Sequence, residues 1–311
     1  MEYTHHPVQA EEVLQSLIVT PDGLYVDGTV GTGGHSEIIG KEISSKGRLI
    51  CLDRDSEAIR ISSVRLAPLG SRVTLVKANY AKMDEVLQDL GFDQVNGVLL
   101  DLGISSHQIE ISGRGFSFNR DEALDMRFDR DDQETACQLV NTLSSKDLKM
   151  ILKRYGEEKK AGLIANAIVK ERKKKAITSS LQLAKLIQSV VHRPHHSGGR
   201  HPATKSFQAL RIAINRELEN LKEFFDKAPF IIQKGGHLVI ISYHSLEDRL
   251  VKKTMMNWEK SCRCPPKLPI CHCNKKPLFR RLNRKGMRPM PSEIEVNPRA
   301  RSAILRAAER I

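Results

Sequence analysis

No stretch of this chain is apolar for long enough to cross a bilayer, which takes about 20 residues. Runs such as Val98-Leu99-Leu100 and Leu238 to Ile241 are far shorter. Nor does Met1 to Ala10 place an apolar run behind a basic start. No secretory leader is expected, and the expected compartment is the cytoplasm, with no membrane partner. Aromatics are sparse, with one Trp among 311 residues, yet 40% of the chain is hydrophobic and 28% is charged. That is the balance of an ordinary globular protein, long enough to bury a core without staples and to form about two domains. Cysteine is rare outside one place. Cys51 and Cys137 stand alone and read as small core residues, whereas Cys262, Cys264, Cys271 and Cys273 crowd together. In a cytosolic chain that cluster is not expected to form structural disulfides.

Net charge is also missing from most of the chain. From Arg249 to Ile311 there are 17 Lys/Arg and 4 Asp/Glu, which equals the whole excess of +13, so the preceding residues sum to zero. A basic block of this kind suits a polyanion, because each neutralised phosphate releases counterions. A solubilising surface is the alternative, although the block also carries apolar residues that can fold.

Short apolar runs alternate with helical patterns over the first hundred residues. Strands are expected at Leu24–Asp27, Arg48–Asp53, Val73–Val76 and Val95–Leu100. Helices are expected near Ser36–Ile43, Ser56–Leu66 and Met83–Leu90. This rhythm predicts an α/β fold with a parallel sheet covered on both faces. It stops between Ile104 and Lys205, where two helices stand out, near Ala161–Lys174 and Ser179–Val191. It resumes with one amphipathic helix over Phe207–Phe225, a Gly235-Gly236 turn, a strand at His237–Ser242, a helix at Leu246–Trp258 and a last strand near Ser302–Ala307. The expected organisation is therefore a Rossmann-like domain over 1–105 and 207–311, interrupted by an all-helical insertion over 106–206.

The first strand runs into Gly28-Thr29-Val30-Gly31-Thr32-Gly33-Gly34-His35. A glycine loop between strand and helix brings backbone close to a ligand. Asp53 ends the next strand, where a carboxylate can accept both ribose hydroxyls of an adenosine cofactor. Nicotinamide dinucleotides and S-adenosylmethionine share that feature. The dinucleotide fingerprint wants a third glycine, and Gly31-x-Gly33-x-x-Ser36 has none there. Asp27, just before the loop, suits the cationic amino group of a methionine moiety and would repel a pyrophosphate. Asp27 capping a turn and Asp53 capping the next helix are the plain alternatives. Asp101 ends the fourth strand and so faces the same site. There it can accept a hydrogen bond from an amine awaiting methylation.

The stretches Asp27-Gly-Thr-Val-Gly-Thr-Gly-Gly-His35, Leu100-Asp-Leu-Gly-Ile-Ser-Ser-His-Gln108, Gly113-Arg-Gly-Phe-Ser-Phe118 and Leu124-Asp-Met-Arg127 occur in that order. Tyr155-Gly-Glu-Glu158, His201-Pro-Ala-Thr-Lys-Ser-Phe-Gln208, Ile241-Ser-Tyr-His-Ser-Leu-Glu-Asp-Arg249 and Asn297-Pro-Arg-Ala-Arg-Ser302 follow. Together they resemble the bacterial 16S ribosomal RNA cytosine-N4 methyltransferases, collinearly from about Thr4 to Arg310. The resemblance implies a methyltransferase fold with a helical substrate-recognition insertion, and S-adenosylmethionine as cofactor. It also implies a cytidine in the decoding centre of the small ribosomal subunit as target, and no DNA. It places Gly33, Gly34, His35, Asp53, Tyr80, Asp101 and Gln108 at the cofactor. His107 stands where many relatives carry proline, a local turn difference.

Tyr243 and His244 follow the fifth strand, Tyr243 as a platform for the flipped base and His244 as a proton acceptor. The alternative is that this stretch caps a helix, with Ser245 as N-cap and Asp248 at the third helical position. Tyr80 is either an adenine contact or core filling. The paired cysteines are spaced more narrowly than is usual for zinc, and free thiols in a basic loop are expected instead. His192, His195, His196 and His201 read as an RNA-facing loop. Cations at Lys173-Lys174-Lys175 suit a helix end or RNA. No metal ligand is expected. The RNA backbone is expected to be clamped by the loop Arg193–Lys205 and by Arg280, Arg281, Arg284 and Lys285.

Overall fold

The computed structural model describes residues 7–191, 201–262, 264, 273 and 275–311. Met1–Gly103 joins Leu218–Ile311 in one compact unit, and Ile104–Glu217 forms another. In chain order the first unit opens with α1 (Ala10–Leu17), β1 (Leu24–Asp27), α2 (Gly34–Glu42), β2 (Arg48–Asp53), α3 (Ser56–Leu66), β3 (Val73–Lys77), α4 (Met83–Asp89) and β4 (Val95–Asp101). The second unit holds α5 (Ser106–Glu110), α6 (Ala136–Thr142), α7 (Ser145–Gly156), α8 (Ala161–Arg172), α9 (Ser180–Val190) and α10 (Thr204–Asn215). The chain then runs through α11 (Glu217–Ile231), β5 (Ile232–Ser242), α12 (Ser245–Glu259), β6 (Phe279–Arg281), α13 (Pro291–Val296) and β7 (Ile304–Arg310).

The seven strands pair in the order β3-β2-β1-β4-β5-β7-β6. The first five are parallel, and β7 runs antiparallel to both of its neighbours. Alternation along the strands makes two cores. Val26, Ile50, Leu52, Val98, Leu100 and Ile240 point to one face, with Phe224 and Trp258. Tyr25, Leu49, Cys51, Leu99 and Ile241 point to the other, with Val13 and Ile39. Each fully buried aliphatic side chain contributes roughly 1.5–3 kcal/mol, so a strand buried on both faces is a strong anchor for whatever follows its C-terminal end. The helical unit has a separate core in which Leu148, Leu152, Ile164, Ile168, Ile187 and Leu210 are buried together. No described helix is long and apolar enough to cross a membrane.

Among the differences from the sequence reading, three concern the second half of the chain's α/β framework. Phe207–Phe225 is not one helix. It breaks at Arg216, whose φ of 51° lies in the left-handed region. The Arg211 guanidinium spans this corner with two 2.8 Å bonds to the Glu217 carboxylate. As a result α10 belongs to the helical unit, which reaches Glu217 rather than stopping at 206. Gly235-Gly236 does not precede the fifth strand but lies inside it. The register jumps from Val95↔Ile232 to Gly97↔His237, a bulge. Gly235 has a φ of +78°, and a Cβ on Gly236 would meet two backbone oxygens at 2.9 Å. Glycine is what lets the strand absorb the extra residues. Finally, the N-cap of α12 is His244 rather than Ser245, with Glu247 rather than Asp248 as its partner.

Candidate active site at the strand ends

The loop after β1 is shaped from both sides. Gly28 N–H donates to the Leu99 carbonyl and Val30 N–H to the Leu52 carbonyl, so the loop is tied to the neighbouring strands. Gly33, with φ of 84°, turns the chain into α2. Asp27 lies beneath the loop, almost fully buried. One carboxylate oxygen accepts from Thr29 N–H at 3.1 Å and the other from the Ser36 hydroxyl at 2.6 Å. Ser36 thus occupies the place of the missing third glycine because it binds the strand-end acid. Burial pushes the Asp27 carboxyl up to about 6, although the Ser36 and Thr29 bonds oppose the rise. Burial, and then the Asp27 charge, push the Cys51 thiol well up, so it stays protonated in the core.

Asp53 ends β2 and faces the same loop. It accepts from Gly31 N–H and from Asp55 N–H, each at 2.9 Å. Burial raises its carboxyl to about 6. The cap of α3 is not Asp53 but Asp55, whose side chain accepts from Glu57 N–H. That leaves Asp53 available to a ligand through its remaining lone pairs.

Asp101 ends β4, between the other two acids and β5. Its backbone N–H donates to the Thr29 hydroxyl at 2.7 Å. Its Oδ1 is sealed from solvent and makes no hydrogen bond among the described residues. Its Oδ2 lies 3.6 Å from Nε2 of His35, the ring that opens α2, and 24% of the Asp101 side chain remains exposed. Burial raises the Asp101 carboxyl to about 7, the neighbouring Tyr243 hydroxyl and Gly103 N–H lower it, and the Asp27 charge raises it. Gly103 makes this arrangement possible, since a Cβ there would come within 2.8 Å of the Tyr243 ring. Burial and the Asp101 charge push the Tyr243 hydroxyl well up, so it stays protonated and can serve the carboxylate as a donor.

His244 is tied into the cap of α12. Its Nδ1 accepts from Glu247 N–H at 3.3 Å, and its Nε2 lies 3.1 Å from Glu247 Oε1. The Glu247 carboxylate in turn accepts from Tyr243 N–H at 3.0 Å. Tyr80 stands after β3, with its ring edge-on to Phe224 at 6.0 Å. The strand ends therefore bring Asp27, Gly33, Gly34, His35, Asp53, Tyr80, Asp101, Tyr243 and His244 together on one unit. Gln108 lies on the helical unit, where its side chain closes a capping box with Ser105. Sequence reasoning passed over Thr29, Ser36 and Glu247 as site residues. A hydroxyl within the glycine loop and an acid three residues after a capping residue were the available signals.

Three carboxylates with raised pKa around a glycine loop form a site for a cationic adenosyl group, and they fit S-adenosylmethionine in kind. Fold and site together define a Rossmann-like methyltransferase. The chain belongs to the MraW methylase family, whose model matches residues 2–311, and it is an S-adenosylmethionine-dependent methyltransferase. Ribosomal RNA small subunit methyltransferase H of Syntrophus aciditrophicus is 47% identical over 99% of this chain and 98% of its own. The protein of the same name from Symbiobacterium thermophilum is 43% identical over 100% and 98%. A solved structure of a putative rRNA-methylase from Clostridium thermocellum aligns over 97% of this chain and 95% of its own at 13% identity, with a TM-score of 0.44.

The basic C-terminal block is partly structural. Arg306 binds Asp248 through two bonds of 2.7 and 3.2 Å and is nearly buried. Arg281 binds Glu259, and Arg280 binds Glu309. Arg284, Lys285 and Arg288 are exposed. Within the histidine-rich loop, residues 192–200 lie outside the described residues, and with them His192, His195 and His196. The His201 ring stacks on Phe118 at 4.4 Å.

Proposed function

We propose that this methyltransferase modifies the N4 amine of a cytidine in the decoding centre of 16S ribosomal RNA, in the small ribosomal subunit. The names of its relatives support the small-subunit RNA, and Asp101 is the observation that carries the chemistry. With Oδ1 sealed, the open quarter of its side chain presents Oδ2 at the end of the central strand. The bound cofactor supplies an electrophilic methyl group on a sulfonium. The exocyclic amine of cytosine is a poor nucleophile, because its lone pair is delocalised into the ring. A carboxylate that accepts one amine hydrogen favours a pyramidal nitrogen and holds it in line with the methyl group.

As the new N–C bond forms, the amine must lose a proton. An Asp101 carboxyl raised to about 7 is matched to take that proton and return it to water near neutral pH. Tyr243 steadies this carboxylate, besides offering its ring to the base. His244 engages Nδ1 in the helix cap, which favours a positioning role over that of proton acceptor. Asp53 receives the ribose hydroxyls, and Tyr80 packs against the adenine. Asp27, His35, Gly33 and Gly34 shape the methionine end. Gln108 enters this proposal through the family resemblance alone.

The test is methyl transfer to small subunits from a strain lacking the protein, with the product nucleotide mapped. Incorporation at one cytidine N4 is expected. Methyl found on another atom would overturn the assignment of the acceptor.

A further inference from the structure

Three thiols meet in the segment between α12 and β6, at sites outside the carboxylate cluster. Cys273 Sγ lies 3.8 Å from Cys262 Sγ. Cys264 N–H donates to Cys262 Sγ at 3.3 Å. The sulfurs of Cys262, Cys264 and Cys273 all lie within 4.8 Å of one another. A disulfide needs about 2.05 Å between sulfurs. A tetrahedron built on metal–sulfur bonds of about 2.3 Å has edges of about 3.8 Å. The Cys262–Cys273 separation is that of a tetrahedral edge.

The elements that flank the segment are tied to each other. Leu278 N–H donates to the Trp258 carbonyl at 2.8 Å, closing the neck of the segment. The Trp258 ring stacks on Phe279 at 4.5 Å. Cysteines 11 residues apart are thereby returned to one place by the fold. Cys264 and Cys273 are half-buried and Cys262 is exposed, which leaves an ion a way in.

We propose that Cys262, Cys264 and Cys273 bind one zinc ion as thiolates. Binding forms three Zn–S bonds and releases three protons to solvent, with no change of oxidation state. The fourth position is taken by water or by another donor. Cys271, the remaining cysteine of the cluster, lies outside the described residues. Three soft sulfur ligands select zinc over the hard divalent cations. Its place at the base of the basic block makes it a clasp for that block.

The test uses the full chain purified with reductant, passed through gel filtration and analysed for metal. About one zinc per chain is expected. Replacement by cobalt(II) should give the intense near-ultraviolet band of cobalt–thiolate bonds. Cys264→Ser should cut that band by roughly a third or more, and the Cys262→Ser, Cys273→Ser pair should abolish it and weaken zinc binding more than tenfold. Asp101→Asn should keep the full zinc content, which separates this site from the methyl-transfer site. Wild-type protein that retains no more zinc than the double variant, or gives no thiolate band with cobalt, would overturn the proposal. So would a Cys262–Cys273 disulfide persisting under reductant.

Discussion

The strand ends and the C-terminal block handle charge in opposite ways. At the strand ends, three acids sit in a low-dielectric recess, and burial raises all three carboxyls. That arrangement costs the cofactor-free fold and is relieved by a cationic ligand. In the C-terminal block the charges look alike in sequence but divide in space. Arg306, Arg281 and Arg280 are held by carboxylates, whereas Arg284, Lys285 and Arg288 face solvent. A charge at the end of a central strand is placed by topology. A charge in a basic run is placed only by what it meets after folding.

The comparison can be broken at several points, the largest expected effect coming first. Asp101→Asn should slow single-turnover methyl transfer at saturating cofactor and RNA by at least about 100-fold, the usual scale for a positioned acid–base group. A normal rate would strip the strand-end acid of its role. Arg306→Ala should lower unfolding free energy by about 3 kcal/mol, because it strands Asp248 in a mostly buried site. Urea denaturation reads this directly, and an unchanged midpoint would place Arg306 with the surface cations. Asp53→Ala should weaken S-adenosylmethionine binding by about 1.5–3 kcal/mol, measured by isothermal titration. Wild-type affinity would mean that the residue only orders the Gly31 loop.

A smaller effect concerns pH. The active form of Asp101 is the carboxylate, and its carboxyl is raised to about 7. kcat/KM should therefore level off above about pH 7 and fall as pH drops through that value, up to tenfold per unit. A profile flat down to pH 5 would show that another group receives the proton. The smallest effect belongs to the surface. Arg284, Lys285 and Arg288 changed together to Ala should alter stability by no more than about 0.5 kcal/mol. They should flatten the salt dependence of subunit binding by up to roughly 0.7–0.9 of a log–log unit per lost phosphate contact. An unchanged slope would make these cations mere solvation.

Much of the sheet and of the site was legible because both follow from strand ends. Leu24–Asp27 and Arg48–Asp53 have the expected bounds, and Asp27, Asp53 and Asp101 all end strands. What escaped depended on partners distant in sequence. Phe279–Arg281 is a three-residue basic strand, defined only by its pairing with β7. The break at Arg216 needs the Arg211–Glu217 pair, which no helical periodicity records. α6 is less than two turns long, too short for a period to emerge. α7 carried a readable signal, with Ser144 capping Asp147 and with Leu148 and Leu152 buried four residues apart. The N-cap expected at Ser245 falls one residue earlier, at His244, since capping is decided by backbone angles rather than by residue type.

The bulged fifth strand has a consequence for the order in which the molecule can be assembled. β4 lies between β1 and β5 at the middle of the sheet, yet 130 residues separate Asp101 from Ile232. During synthesis, the first four strands leave the ribosome with an apolar inner edge open, and an edge of that kind invites pairing with other chains. It stays open while the whole helical unit is made. Closing so long a loop is slow. A helical unit that gathers its own core first would shorten that loop and bring β5 to its neighbour. The insertion would then act as an internal tether that limits aggregation of a sheet whose centre is completed late.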